Sequence, residues 1–176
     1  MTKHLICAAL LFAVTNPALA QSPPADAKVT IGGKVISIRY SAPSVRGRVG
    51  RIFGPDGLIS RDPTYPVWRA GANDATSFHT DADLDLGGLA VPAGDYTLYV
   101  SLKDQNAWEL IVNKQTGQSG LTYTAAQDLG RVKMTMAKPP APIERLNYVL
   151  TDMGNGRGEL RLEWENHIAT VPIRVK

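Results

Sequence analysis

The segment "VWRAGANDATSF", Val67 to Phe78, concentrates residue types that bind polar ligands. Its arginine, Arg69, carries a planar guanidinium group that binds a carboxylate or a phosphate through two parallel hydrogen bonds. An amide, a hydroxyl group and an indole lie within the same dozen residues, and a second arginine stands in the loop that precedes them. The predicted ligand-binding residues are Arg48, Trp68, Arg69, Asn73 and Thr76. We expect Arg69 to clamp a small polar or anionic ligand and Asn73 to orient it through hydrogen bonds.

The same segment has a structural interpretation. Gly71 is expected to supply a positive φ, and Asn73 and Asp74 are expected to cap the turn with their side-chain oxygens, Asn73 through an Asx-turn. Arg69 would then tie down loop carbonyls or a carboxylate. Because most polar loop residues are structural, this interpretation stays open beside the binding hypothesis.

An enzymatic function is the second hypothesis, most plausibly a hydrolase with a carboxylate or a histidine as general base. It requires at least one of four residues to meet Arg69 in one pocket: Asp74, His79, Glu165 or His167. The chain contains no Gly-x-Ser-x-Gly, no Ser-x-x-Lys and no phosphate-binding Gly-x-x-x-x-Gly-Lys motif. The absence of these motifs therefore favours a non-enzymatic protein. A purely structural assembly module is the third hypothesis.

The segment "HTDADLDLGG" contains residue types that bind metal ions. His79, Asp81 and Asp83 are two residues apart, so a strand places them on one face, where they could hold a divalent ion. A calcium loop fails because its sixth position is Leu86 and its twelfth is Pro92. A solvated outer face is favoured, and we expect no metal and no cofactor.

The elements that must position these residues are strands. Apolar residues alternate with polar ones along about nine segments, and no stretch after the N-terminal apolar run has a helical period. Strands without intervening helices pair antiparallel, which predicts an all-β fold, a single antiparallel β-sandwich of jelly-roll type. A closed β-barrel with a ligand cavity is the alternative. Residues 41–65, rich in glycine, proline and arginine, fit no strand and are expected to share one end of the sandwich with Arg69.

The N-terminus predicts export. Lys3 and His4 precede an apolar run too short to span a bilayer, and Ala18-Leu19-Ala20 is a small-x-small cleavage site. We expect a signal peptide over residues 1–20, a disordered segment over 21–27 and one domain over 28–176, located in the periplasm or outside the cell. The single cysteine, Cys7, lies in the signal, so a disulfide is not expected.

The distribution of charge and the lack of a second long apolar run limit the classes of partner that the protein could bind. The formal net charge is +3, and basic residues are interspersed with acids, which argues against nucleic acid as a partner. No integral membrane segment is expected after signal cleavage. A small ligand or a cell-envelope protein is the expected partner.

Several short motifs resemble a bacterial family of exported domains known as domain-of-unknown-function family 2911. They are "RGR" at 46–48, "IFG" at 52–54, "VWRAGANDAT" at 67–76, "PAGDY" at 92–96, and Trp108 ahead of Asn113. The chain departs from the family pattern at Ala42, where the pattern has arginine, and in an apparent insertion at 49–51. The resemblance covers residues 28–176 and implies export and a β-rich domain, with no established activity.

Overall fold

The strands form two antiparallel sheets packed face to face. The structure is a computed structural model, and it describes residues 21–176. Thirteen strands follow one another: β1 (Pro24–Ile31), β2 (Lys34–Ser41), β3 (Val67–Trp68), β4 (Thr76–Thr80), β5 (Leu84–Leu86), β6 (Leu89–Val91), β7 (Gly94–Ser101), β8 (Glu109–Asn113), β9 (Asp128–Lys133), β10 (Thr135–Ala137), β11 (Ile143–Gly154), β12 (Arg157–Glu165) and β13 (His167–Val175). In residues 21–176 the helical segments are two short 3-10 turns, Leu58–Arg61 and Ala125–Gln127.

The predicted sandwich is confirmed, with thirteen strands rather than nine. The first sheet has the order β1-β2-β4-β7-β8-β9, with β3 also paired to β7, and the second has the order β11-β12-β13-β5-β6, with β10 also paired to β13. Within residues 21–176 the strands form two separate sheets, so the alternative of a closed barrel is wrong. Hairpins join β1 to β2 at Gly32-Gly33, β5 to β6 at Gly87-Gly88 and β11 to β12 at 154–158. Strand β1 begins at Pro24, inside the segment 21–27 that the sequence predicts to be disordered, and its residues pair with β2 as far as Ser41.

The core lies between the sheets and contains all three tryptophans of the chain. Trp68, Trp108 and Trp164 are between 2 % and 4 % exposed. Alternate residues of β7 face the core, since Leu98 and Val100 are fully buried. This apolar burial, at about 25 cal/mol per Å², is what stabilises a domain without disulfides in residues 21–176.

The outer face of the first sheet carries a small second apolar cluster. Tyr99 and Ile111 are fully buried there and pack with Val67 and Tyr123. The segment 114–127 covers them, and the Tyr99 hydroxyl donates to the Thr122 carbonyl at 2.6 Å. This covering segment also approaches Arg69, as described below.

The arginine-rich segment 42–66 forms one end of the sandwich without regular strands. Its apolar side chains Val45, Ile52 and Ile59 are buried, and Phe53 inserts among the three tryptophans with ring centroids 4.9 to 5.7 Å away. Edge-on aromatic contacts of this kind add to the energy of burial. The segment is therefore anchored to the core by its own side chains.

No helix within residues 21–176 combines the length and the apolar character needed to cross a membrane. The predicted signal peptide, residues 1–20, lies outside the described residues.

Candidate functional site

The segment "VWRAGANDATSF" runs from β3 into β4, two strands that both pair with β7, with an excursion between them. Trp68 pairs with Val100 of β7, and the next paired residue, Thr76, lies opposite Leu98. Residues 69–75 therefore leave the sheet between two nearly adjacent pairing positions. The excursion places Arg69 at the end of the sandwich, facing the segment 42–66.

Two buried hydroxyl groups hold the excursion at its base. The Ala70 carbonyl accepts hydrogen bonds from Thr76 Oγ1 at 3.2 Å and from the Tyr148 hydroxyl at 3.0 Å. Thr76 is fully buried, so its hydroxyl supports the excursion from below. Tyr148, a residue of β11, connects the excursion to the second sheet, and burial raises the pKa of this phenol.

The turn geometry differs from the prediction at Gly71. The positive φ values belong to Ala70 (51°) and Asn73 (58°), so the expectation of a positive φ at Gly71 is wrong. Glycine is required at 71 for space, because a Cβ atom there would lie 2.8 Å from Thr76 Oγ1. The strained backbone at Ala70 is the kind of feature that persists only where surrounding contacts fix it.

Asn73 ties the excursion to the start of the domain. Its Nδ2 donates to the Ser22 carbonyl and to Ser41 Oγ, both at 3.3 Å. The Ala75 N–H, which an Asx-turn would direct to Asn73 Oδ1, donates to the Gln118 carbonyl at 3.4 Å, so the predicted Asx-turn is wrong. Asn73 is exposed and braces the outside of the excursion.

Arg69 is a mostly buried cation with one ion pair at this end of the sandwich. Its side chain is only 18 % exposed, and its charged partner is Asp62, whose Oδ2 lies 3.5 Å from Nη2. Arg69 Nε is buried and has no hydrogen-bond partner in residues 21–176. On the other side, Gly120 of the covering segment approaches so closely that a Cβ atom there would overlap Arg69 Cδ. A buried donor without an acceptor is rare in proteins.

Arg48 is partly committed to the backbone. Its Nε donates to the Val45 carbonyl at 2.8 Å and its Nη2 to the Ser44 carbonyl at 2.7 Å. Because a guanidinium has five N–H groups, three remain for other acceptors. Trp68, fully in the core, stacks on Trp164 at a centroid distance of 5.8 Å and an angle of 17°.

A cavity of about 250 Å³ opens between the excursion and the segment 42–66. We call it the Arg69 cavity. Its charged lining consists of Arg46, Arg48, Arg69 and Asp62, and Trp68 and Trp164 contribute to its wall. The structure thus brings Arg48, Trp68 and Arg69 together on the lining of one cavity. Asn73 and Thr76 do not line this cavity.

A second cavity adjoins the first. It has a volume of about 580 Å³, and Arg48 and Leu58 line both. We call it the Arg61 cavity, and its further charged residues are Arg51, Arg61 and Asp56. Together the two cavities carry five guanidinium groups against two carboxylates. This excess of three positive charges equals the formal net charge of the whole chain.

The four candidate acid–base residues do not form the ionic partner of Arg69, which is Asp62. Asp74 lies in an isolated bridge with Ser119, on the exposed side of the excursion. Glu165 is buried, adopts a φ of 53°, and accepts a 2.6 Å hydrogen bond from the Gly50 backbone N–H. Its other oxygen lies 3.5 Å from His167 Nδ1, a buried nitrogen without a hydrogen-bond partner in residues 21–176.

The His167 ring is enclosed by aromatic side chains. It stacks on Trp108 with centroids 4.8 Å apart and meets Phe53 at 4.7 Å. Burial, followed by the positive charge of Lys138, lowers the pKa of this imidazole. Gly50 and Phe53 line the Arg61 cavity, so the Glu165–His167 pair lies directly behind its wall.

His79 occupies a different surface, the outer face of the first sheet. Its Nδ1 lies 2.8 Å from Asp95 Oδ1 and its Nε2 lies 3.0 Å from Asp81 Oδ1. These two carboxylates raise the pKa of His79, Asp81 contributing most. Asp83 does not join them, because its Oδ1 accepts the Ala93 N–H. Both ring nitrogens are thus already occupied by carboxylates.

An all-β sandwich with a basic cleft at one end is the class of protein that these observations define. The chain belongs to the family described as "Protein of unknown function (DUF2911)", which matches residues 22–173 and confirms the resemblance drawn from the sequence motifs. No curated protein and no solved structure matches the chain.

Three residues that shape the site were not singled out from the sequence. Asp62 faces Arg69, Phe53 anchors the segment 42–66, and Tyr148 supports Ala70. The sequence carried a signal only for Phe53, an isolated aromatic residue in a polar, glycine-rich loop.

Proposed function

We propose that this domain binds a small anionic ligand, a carboxylate or a phosphate, in the Arg69 cavity. The observation that carries the proposal is the unpartnered, buried Nε of Arg69 beside a single carboxylate 3.5 Å from Nη2. A bound anion would give Nε an acceptor and add charge-assisted hydrogen bonds. Arg48, with three uncommitted N–H groups, is the second ligand contact.

The proposal assigns separate roles to the other predicted residues. Trp68 forms the rigid wall of the cavity, and Thr76 holds the backbone of the excursion from below. Asn73 braces the excursion from outside through Ser22 and Ser41. A rigid frame lowers the ordering cost of binding, since little has to be fixed when the ligand arrives.

Thermal unfolding with added anions tests this function. Inorganic phosphate, sulfate, acetate and citrate are compared at constant ionic strength on the wild type, on R69Q and on R39Q. Arg39 is exposed on the outer face of the first sheet and provides the matched control. We expect at least one anion to raise the Tm of the wild type and of R39Q, and to raise that of R69Q much less. Equal shifts in all three proteins, or no shift with any anion, would overturn the proposal and favour a purely structural module.

One observation favours a hydrolase as the second candidate. Glu165 and His167 form a carboxylate–imidazole pair in which the carboxylate is held by the Gly50 N–H. If the 3.5 Å separation closes to a hydrogen bond, such a carboxylate orients an imidazole that takes a proton from an attacking water. The lowered pKa keeps His167 in its basic form at neutral pH.

The hydrolase candidate is tested with p-nitrophenyl phosphate and p-nitrophenyl acetate. Turnover that disappears in H167Q and persists in H79Q would support it, because His79 lies on another surface. Absence of turnover in the wild type, or equal turnover in both variants, would exclude this pair as a general base for these ester classes.

We also propose that the protein is exported with cleavage after Ala20, and that a cell-envelope protein is an alternative partner to the small ligand. The support is the charged start, the short apolar run and the Ala18-Leu19-Ala20 motif. The intact mass of the protein recovered from periplasm and medium tests this. A mass that begins at Gln21 is expected, and a chain that retains residues 1–20 in the cytoplasm would contradict it.

A further inference from the structure

The Arg69 and Arg61 cavities are neighbours at one end of the sandwich. Arg48 and Leu58 line both, so the two cavities meet at these side chains. Leu58 is 39 % exposed at this crossing point. The combined volume exceeds what a single phosphate or carboxylate group fills, since small-molecule sites typically span about 300–1,000 Å³.

Two cations of the Arg61 cavity, Arg51 and Arg61, are exposed and have few protein partners. Arg61 has no hydrogen bond or ion pair from its guanidinium within residues 21–176, and Arg51 makes one long bond, 3.2 Å, to the Gly47 carbonyl. Arg48 is the third cation on this lining, and Asp56 is its one carboxylate. Three like charges beside one opposite charge repel each other, so their placement here favours an anionic occupant.

We propose that the natural ligand is an extended molecule with at least two anionic groups. One group occupies the Arg69 cavity, a second occupies the Arg61 cavity, and the link between them crosses Arg48 and Leu58. This inference rests on the proposed function and specifies its ligand class as a chain of phosphate or carboxylate groups.

Linkage makes the two cavities act together. Once the first anionic group is held near Arg69, the second is confined close to Arg61 at a high effective concentration. An extended dianion should therefore bind more tightly than a single anion, and a defect in the Arg61 cavity should affect only the extended one.

Isothermal titration calorimetry at constant ionic strength tests this with two pairs of probes. The phosphate pair is inorganic phosphate and tripolyphosphate, and the carboxylate pair is acetate and trigalacturonate. Within at least one pair, the wild type is expected to bind the longer probe more tightly. The pair that shows the gain identifies the anionic group.

Variants separate the two cavities. R61Q is expected to raise the Kd of the longer probe about tenfold and to leave the Kd of the single anion unchanged, because Arg61 lines only the larger cavity. R69Q is expected to weaken both probes, and R39Q neither. Since R61Q changes an exposed side chain, its fold is preserved and is checked by its Tm.

The calorimetric results distinguish the extended ligand from the proposed anion binding at Arg69. A single anion that binds through Arg69, with no gain for the longer probe or no specific loss in R61Q, overturns the extended ligand alone. A longer probe weakened equally by R61Q and R39Q also overturns it, since that result indicates unspecific charge attraction. If the wild type binds none of the four probes, the proposed function itself is overturned.

Discussion

Asp62 competes with the proposed ligand for Arg69, so D62N is expected to strengthen anion binding. Within residues 21–176 the Asp62 carboxylate has one charged partner, Arg69 Nη2 at 3.5 Å. Both side chains are largely buried, with 18 % and 23 % exposure. Asparagine keeps the shape of the side chain and removes its charge, so the cavity wall is preserved.

The magnitude follows from Coulomb's law. An anion bound to Arg69 would lie about 6 Å from the Asp62 carboxylate, where two unit charges repel by about 0.7 kcal/mol in water and about 2.8 kcal/mol at an effective dielectric constant of 20. An intermediate value of about 1.4 kcal/mol corresponds to a tenfold lower Kd. The lost ion pair should cost the free protein at most about 1 kcal/mol of folding free energy.

Calorimetry and denaturant unfolding measure the two effects on the same variant. D62N is expected to bind phosphate more tightly than the wild type and to have a slightly lower free energy of unfolding. The double variant D62N/R69Q should not bind phosphate more tightly, because it lacks the guanidinium that D62N frees. A D62N protein that is less stable but binds phosphate no better would assign the Asp62–Arg69 pair a purely structural role.

Three further predictions concern packing and pH. In G120A the new Cβ would overlap the Arg69 stem, so we expect a loss of about 1–3 kcal/mol in unfolding free energy and weaker phosphate binding, measured by urea unfolding and calorimetry. The pKa of His79 is raised by its two aspartates, so its stabilising effect is fully present below its ordinary pKa of 6.5 and is lost as pH rises through the higher folded value. The stability difference between wild type and H79Q, followed across neutral pH, should shrink with rising pH, and a constant difference would contradict this assignment. The pKa of His167 is lowered by burial, so the neutral ring stabilises the fold above pH 6.5 and this contribution is lost as pH falls through the depressed folded value. NMR titration should place the two histidines on opposite sides of 6.5.

The fold was predictable because strand periodicity is a local property. Alternation along "DYTLYVSL" correctly placed Leu98 and Val100 in the core. It could not predict that Tyr99, on the opposite face, is also fully buried, because the cover comes from the segment 114–127. Burial on the outer face depends on where a loop folds back, which no period in the strand encodes.

The candidate site was predictable in part for the same reason. The residue types in "VWRAGANDATSF" indicated a turn with polar side chains, and the structure places Trp68 in the core and Arg69 on the lining of a cavity. The pairing of Arg69 with Asp62 joins the excursion to a loop without secondary structure, so no spacing rule predicts it. The hydroxyl of Tyr148 reaches Ala70 from the other sheet, across 78 residues of sequence. Such contacts follow from the packing of the two sheets.

The Nε–H group of Arg69 provides the most direct test of the central claim. Its NMR signal, assigned by its absence in R69Q, is followed while inorganic phosphate is added at constant ionic strength. A saturable downfield shift is expected for the Arg69 signal, with little change for the Nε–H of Arg48, which already donates to the Val45 carbonyl at 2.8 Å. An Arg69 signal that stays in place, or that moves no more than the signal of exposed Arg39, would contradict the claim that Arg69 receives an anionic ligand.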